Sequence, residues 1–192
     1  MEQLTVEQFE ALSRNEKAVL VAKDILERIR LSKIKAKRGM YCVLDLNEVG
    51  GSSDRDVRSN LSSIKQCQVC ALGAAMLSTT VFANKLTFKQ LERFDGDRDA
   101  LNVLETVFTP KQMLLIETAF ESYSGFRSTE FIDEDFEYLD PSSRIGAEVF
   151  NEVLTREEVI ACINFYNKYS IDDDRLIAIC DNIIENGGIF TL

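Results

Sequence analysis

The two cysteines in the stretch Cys67-Gln-Val-Cys70 have the spacing of many metal ligands and redox pairs. A structural zinc site needs four ligands, and the sequence offers no second CxxC pair to complete the set. A thioredoxin-like redox pair would lie between a strand and a helix, and the residues before Cys67 have poor strand character. We therefore predict no metal or cofactor, and a buried apolar helix from Cys67 to about Ser78. Within it, Gly73 would let a neighbouring backbone approach closely.

The chain contains no histidine. Within one chain this excludes Ser-His-Asp and Cys-His catalysis and His-ligated zinc, and it removes the commonest general base near neutral pH. The phosphate-cradling motifs GxxxxGK[ST] and GxGxxG are also missing. An enzyme would have to use carboxylate, Lys, Tyr or Cys chemistry, and the sequence singles out no catalytic residue.

An acidic run interleaved with aromatic residues spans residues 130–140. Carboxylates spaced in this way can imitate a phosphate backbone, with aromatic side chains anchoring a partner. A surface connection whose aromatic side chains enter the core is the more ordinary interpretation of the same pattern. The predicted partner-binding residues are Glu130, Phe131, Asp133, Glu134, Asp135, Phe136, Glu137 and Tyr138.

A basic stretch without any acidic residue inside it lies between residues 28 and 38. A solvated face is the ordinary interpretation, and a patch for phosphate, nucleic acid or an acidic partner is the functional one. The residues of this basic patch are Arg28, Arg30, Lys33, Lys35, Lys37 and Arg38.

The segment Asp95-Gly96-Asp97-Arg98-Asp99 imitates the start of a calcium loop. An EF-hand requires glycine at the sixth position and glutamate at the twelfth, where this chain has Ala100 and Thr106. We predict that these acids cap the following helix, and that Asp172–Asp174 do the same. A weak calcium or magnesium contact stays open.

The charge is divided unevenly along the chain, whose net charge is -10. Residues 1–90 hold 14 basic and 10 acidic residues, whereas residues 91–192 hold 8 basic and 22 acidic residues. Solubility is the ordinary reason for such a bias, but an acidic half can also attract a basic partner, such as a nucleic-acid-binding protein. Direct binding of nucleic acid by that half is disfavoured because phosphates would be repelled.

Helices must position most of these residues. Predicted helices begin at Thr5 and span about 16–30, 67–78, 87–94, 97–108, 109–123, 147–154, 155–169 and 172–186. A short strand or extended segment covers 33–37, and a loop covers 45–63. We predict a mainly α fold, a compact single-domain bundle of about eight helices with at most a short β element near residues 33–44. We predict that one domain covers residues 1–192. In the alternative, the chain forms two lobes, a weakly basic one at 1–90 and a strongly acidic one at 91–192.

The compartment follows from cysteine usage and hydropathy. Five cysteines are an odd number, and the first residues lack the order of a secretory signal. The uncharged stretch 66–84 is interrupted by polar residues and is too short to span a membrane. We expect a cytoplasmic protein with reduced thiols and no membrane contact.

Two phrases resemble small bacterial and phage proteins that share a Cys-x-x-Cys-Ala-x-Gly-Ala motif and end in Asn-Ile-Ile-x-Asn-Gly-Gly. They are CQVCALGAAMLS at 67–78 and DDRLIAICDNIIENGGIF at 173–190, roughly a sixth of the chain. The resemblance implies a prokaryotic or viral intracellular origin. It transfers no activity and gives no residue a role.

These patterns predict a non-enzymatic intracellular binding protein. The form we predict is a phage-type regulator or inhibitor, acting in the host cytoplasm on a basic partner through the acidic half, as an anti-defence protein would. The alternatives are a small enzyme or ligand-binding protein using Lys, Tyr or carboxylate chemistry, and a thiolate-zinc structural protein. The oligomeric state stays open.

Overall fold

The computed structural model describes residues 4–46, 57, 64–84, 86–92, 98–121 and 154–192, and every structural statement below concerns these residues. Of these, 64% are helical, in eight helices beside a small three-stranded sheet. The helices are α1 (Val6–Glu10), α2 (Arg14–Arg30), α3 (Ala71–Ala83), α4 (Phe88–Glu92), α5 (Arg98–Glu105), α6 (Pro110–Glu121), α7 (Arg156–Lys168) and α8 (Asp172–Glu185). The strands are β1 (Ile34–Ala36), β2 (Cys42–Leu46) and β3 (Ile64–Val69). The compact, mostly helical architecture is therefore confirmed, but the sheet is larger than the sequence predicted.

The helix starts follow local capping chemistry. Thr5, Ser13 and Thr155 each form a capping box. The side chain of the cap residue accepts a hydrogen bond from the amide three residues on, and the Gln or Glu side chain at that position accepts one from the amide of the cap residue. The Thr109 hydroxyl accepts from the amide of Gln112 at the start of α6. The predicted helix starts at Thr5, Thr109 and Thr155 are confirmed.

The sheet has the strand order β1-β3-β2, with β1 parallel and β2 antiparallel to β3. Ile34 pairs with Cys67 on one side of β3, and Cys42 pairs with Val69 on the other. These four side chains are buried, so one face of the sheet packs against the helices. The turn 37–41 joins the two outer strands.

The predicted helix from Cys67 to Ser78 is wrong at its start. Cys67 lies in β3, Cys70 is the N-cap, and α3 begins only at Ala71. The segment Ile64–Val69 is a strand because it pairs with both neighbouring strands and its apolar side chains, Ile64, Cys67 and Val69, are buried in the core. The cysteine pair therefore spans the junction of a strand and a helix.

Helix α3 is the centre of the core, and twelve of its thirteen residues are buried. It packs against α1, α2, α4, α5, α6 and all three strands. A Cβ placed on Gly73 would overlap the carbonyl oxygen of Tyr41, so the turn 37–41 crosses α3 at a point where only glycine fits. The close backbone approach predicted at Gly73 is confirmed.

Helix α8 closes the fold against α2, α6 and β1. It ends just before Gly187 and Gly188, which have positive φ angles, as the sequence predicted. Asp172–Asp174 lie in the first turn of α8, where acidic side chains favour its positive end, but their predicted capping is wrong: the N-cap is Ile171, which makes no side-chain cap hydrogen bond. Two of these aspartates bind the β1 segment instead, because the start of α8 packs beside that strand.

Several predictions fall outside the described residues: the acidic segment 95–97, most of the loop 45–63 and the helix 147–153. Within the described part of the chain, no helix is long and apolar enough to cross a membrane.

Candidate functional site

Carboxylates hold the backbone of the segment that connects β1 to β2. The Ala36 amide donates to Asp173 Oδ1 at 2.6 Å and the Arg38 amide donates to Asp172 Oδ2 at 3.2 Å. The Gly39 amide donates to Glu121 Oε2 at 2.8 Å. Three backbone donors from β1 and the turn that follows therefore meet acidic side chains of α6 and α8. The segment is therefore attached to the body of the protein through side chains of two helices.

Glu117, one helical turn before Glu121, is buried with only 6% of its surface exposed. Its Oε1 accepts a hydrogen bond of 2.5 Å from the hydroxyl of Tyr41, while its Oε2 has no hydrogen-bond partner among the described residues. Burial raises the pKa of Glu117, and the Tyr41 hydroxyl opposes that rise. The pair lies where α6 faces the β1–β2 turn.

Glu121 has a pKa raised to about 7. Burial is the main cause; the Gly39 amide and Arg38 lower the pKa, while Glu117 and Asp172 raise it. A carboxyl group with this pKa changes its protonation state near neutral pH and can exchange a proton there.

The thiol of Cys70 lies beside these carboxylates but is chemically quiet. Its Sγ accepts a hydrogen bond from the Gly73 amide, and it is almost completely buried. Burial raises the pKa of Cys70 well above the usual range, and the nearby Glu121 and Glu117 raise it further. All five cysteines are free and buried, and burial raises the pKa of Cys162 to about 12 as well. The predicted role of Cys67 and Cys70 as packed core side chains fits these surroundings.

Arg175 joins three helices from a position that is 1% exposed. Its Nη1 donates to the carbonyl of Phe120, in the last turn of α6, and to Asp172 Oδ1. Its Nη2 donates to the carbonyl of Tyr169, the C-cap of α7, and its guanidinium stacks on the ring of Tyr166 at 3.9 Å. A buried cation at two helix C-termini is favoured because both helix dipoles point their negative ends at it.

A groove of about 550 Å³ lies along α7, α8 and the residues that follow α8. Its apolar lining consists of half-buried side chains from both helices together with an exposed leucine. These residues are Phe165, Tyr169, Ile177, Ala178 and Leu192. Half-buried apolar groups in a concave surface are the usual floor of a protein-binding groove.

The groove is also acidic. Asp174, Asp181 and Glu185 line it from α8; all three are exposed, and none makes an ion pair within the described residues. Lys168 is the only basic residue among the residues lining this groove. Three carboxylates against one ammonium give the groove a negative potential that would attract cationic groups.

The predicted basic patch is divided by the structure. Arg28 forms an ion pair of 2.6 Å with Asp24, Arg30 pairs with Glu27, and Arg38 pairs with Asp172. Three members keep exposed ammonium groups without a carboxylate partner in the described chain: Lys33, Lys35 and Lys37. They alternate along β1 and the residues flanking it, so they lie on the outer face of the sheet. A function for the basic patch stays a prediction.

The predicted partner-binding run, Glu130 to Tyr138, lies outside the described residues. Sequence reasoning missed Tyr41, Glu117 and Glu121, which the fold brings together from distant positions. It also missed Arg175, which the fold buries at the ends of α6 and α7. The four-residue spacing of the two glutamates on α6 was a signal for one shared helix face, but nothing local showed that this face would be buried. Four apolar residues of the groove fell within predicted helices without any assigned role in binding: Phe165, Tyr169, Ile177 and Ala178.

Metal binding has little support from this geometry. Among the described residues, no three Cys, Asp or Glu side chains come together in a group that could hold a metal ion. Glu117 and Glu121 alone offer two carboxylates, and the neighbouring thiol is held protonated.

No protein family, curated protein or solved structure gives a significant match to this chain, so the resemblance of its two phrases to bacterial and phage proteins stays a prediction.

Proposed function

We propose that this protein binds another protein and receives a basic, amphipathic segment of that partner in the groove between α7 and α8. The observation that carries the proposal is one groove that combines apolar side chains with three exposed carboxylates, which make no ion pair among the described residues. The proposal also agrees with the charge of the chain, because residues 91–192 hold 22 acidic and only 8 basic residues.

The spacing of the groove residues on α8 fits a helical ligand. Asp174, Ile177, Ala178, Asp181 and Glu185 recur at steps of three and four residues, so apolar and acidic side chains follow the same face of the helix. An amphipathic helix laid along this face would bury its apolar stripe on the floor and direct flanking Lys or Arg side chains to the carboxylates.

The charges would act mainly on specificity and on the rate of association. Exposed ion pairs contribute about 0–1 kcal/mol each, whereas complementary potentials speed encounter and reject partners of the wrong sign. Most of the affinity would therefore come from the apolar contacts with Phe165, Tyr169 and Ile177. The acidic rim would decide which amphipathic segments are accepted.

The finer form of the proposal rests on the sequence. It identifies the partner as a basic, nucleic-acid-binding protein and this chain as a phage-type regulator or inhibitor in a host cytoplasm. The groove supports the basic character of the partner, and a pull-down from the native host followed by mass spectrometry would identify it.

The test uses two synthetic helical peptides with the same apolar positions at i, i+3, i+4 and i+7. One peptide carries Lys at the flanking positions and the other carries Glu. We expect fluorescence anisotropy to show binding of the Lys peptide only, with an affinity that falls as salt is raised. Equal affinity for both peptides, or an affinity that salt does not change, would contradict the proposal.

Charge reversal locates the binding surface. The double variant Asp181→Lys and Glu185→Lys should lose at least about tenfold in affinity for the Lys peptide, because two favourable contacts become repulsive. The matched control is Glu157→Lys, an exposed carboxylate of α7 that does not line the groove. If the control weakens binding as much as the double variant, the effect comes from net charge and the groove is not the site.

A further inference from the structure

The two ends of the groove between α7 and α8 differ in charge. At one end, α7 finishes at Lys168 and α8 begins at Asp172, so the three residues between them keep Lys168 close to the start of α8. The Lys168 ammonium lies over the ring of Tyr169, 5.5 Å from its centroid, and both residues line the groove. At this end, Lys168 and the positive end of the α8 dipole offset the charge of Asp174.

The other two aspartates in the first turn of α8 are already engaged by groups outside the groove. Asp172 pairs with Arg38 and with Arg175. Asp173 accepts a hydrogen bond from the Ala36 amide. Neither is among the residues that line the groove, so they add no free carboxylate to this end of it.

The opposite end of the groove keeps its negative charge. Asp181 and Glu185 lie one helical turn apart, are exposed and line the groove. The last turn of α8 contains no basic residue, and residues 186–192 contain no charged residue at all. The negative end of the α8 dipole adds to these two carboxylates. The negative potential of the groove is therefore concentrated at the end of α8.

The residues that follow α8 return along the same end of the groove. The Asn182 side chain holds Thr191 with two hydrogen bonds, one of 2.8 Å to its carbonyl and one of 2.9 Å from its amide. Thr191 and Leu192 line the groove, and Leu192 is 47% exposed. A ligand at this end would meet an apolar side chain beside two carboxylates.

We propose that the bound segment is a helix whose basic residues are concentrated in its N-terminal half and which lies antiparallel to α8. The inference rests on the proposed function, since it describes the ligand of the same groove. In this orientation the basic side chains and the positive end of the ligand dipole both reach Asp181 and Glu185. In the opposite orientation, the negative end of the ligand dipole would face those carboxylates and the negative end of α8.

The first measurement compares two peptides with the same composition and the same apolar positions. One carries all its Lys residues in its N-terminal half and Gln in the other half, and the second has the reverse arrangement. Both are hydrocarbon-stapled, with equal helicity checked by circular dichroism, so that Lys near a peptide terminus does not change the folding of the peptide. We expect fluorescence anisotropy to show about fivefold tighter binding of the N-basic peptide.

Matched variants locate the source of this preference. In the double variant Asp181→Asn and Glu185→Gln, the two peptides should differ by less than about twofold, because the charge at the end of α8 is removed. Asp174→Asn neutralises a groove carboxylate at the other end and should keep the fivefold difference.

The second measurement reads the orientation directly. A spin label on the N-terminus of the N-basic peptide should broaden the amide signals of Asp181 and Glu185 more than that of Asp174. Equal affinities, tighter binding of the C-basic peptide, or stronger broadening at Asp174 would overturn the orientation while leaving a groove that binds basic helices. A preference that survives the double variant would overturn it as well. If neither peptide binds, the proposed function fails and the orientation fails with it.

Discussion

Glu117 and Glu121 on α6, and Asp174, Asp181 and Glu185 on α8, are carboxylates on two helices that pack against each other, but their surroundings are opposite. On α6, Glu117 is buried and Glu121 half-buried against the β1–β2 turn, and they accept hydrogen bonds from Tyr41 and Gly39 respectively. The α8 group is exposed and makes no ion pair in the described chain. These acidic residues of the second half of the sequence therefore fall into two groups with different surroundings.

This difference teaches how a strongly acidic chain can use its charge. Buried carboxylates contribute to the fold through specific hydrogen bonds, and they depend on protonation because ionisation in a buried site is unfavourable. Exposed, unpaired carboxylates contribute little to the fold and remain available to a partner. Substitutions in the two groups should accordingly separate stability from binding.

The largest expected loss of stability comes from Gly73, where the turn 37–41 crosses α3. Gly73→Leu should destabilise the protein by about 3 kcal/mol or more, because its side chain would overlap the carbonyl of Tyr41 at a backbone crossing. Chemical denaturation measures this loss. Cys70→Ala is the control in the same helix turn, and a loss of no more than about 1 kcal/mol is expected there. Equal losses would mean that the crossing is not tight.

Truncating a buried carboxylate should cost more than truncating an exposed one. Glu117→Ala removes the Glu117 acceptor from the Tyr41 hydroxyl and opens a cavity, so we expect a loss of about 2–4 kcal/mol in the free energy of unfolding. Asp181→Ala, on an exposed surface, should change that free energy by no more than about 0.5 kcal/mol. A loss in Asp181→Ala comparable to that in Glu117→Ala would remove the distinction between the two groups.

The dependence of stability on pH should come from α6. The pKa of Glu121 is raised in the folded protein, so folding favours its protonated form. The resulting contribution to stability is fully present below pH 4.5, the ordinary pKa, and is lost as pH rises through about 7. Allowing for solvent screening of a partly exposed group, the loss is on the order of 1–2 kcal/mol. Denaturation midpoints at pH 5, 6, 7 and 8 measure it. Glu121→Gln should flatten the profile, and Glu185→Gln should leave it unchanged.

Much of the local structure could be predicted from short-range chemistry. The capping boxes at Thr5 and Thr155 and the start of α6 depend on residues three positions apart, and they appear where the sequence placed them. The close approach of another backbone segment to α3 at Gly73 could also be predicted, because a run of small residues in an apolar helix favours such an approach.

The errors arose where distant segments decide the outcome. Ile64, Cys67 and Val69 do not alternate strictly with polar residues, and the apolar run that follows them favoured a helix. Only pairing with β1 and β2 selects the strand. Asp172 could equally have capped α8, and it binds Arg38 because α8 packs beside β1. The burial of Glu117 depends on the turn 37–41, which is about 76 residues away in sequence.

The smallest effect on stability is expected from removing the whole exposed group. The triple variant Asp174→Asn, Asp181→Asn and Glu185→Gln should keep its free energy of unfolding within about 0.5 kcal/mol of the wild type. Neutralising Asp174 removes a favourable charge from the first turn of α8, while neutralising Glu185 removes an unfavourable one from the last turn, so the two changes oppose each other. Denaturation measures the stability, and anisotropy with the Lys peptide measures binding in the same preparation. Retained stability with lost binding would assign these carboxylates to recognition, whereas lost stability would place them, like the α6 pair, within the fold.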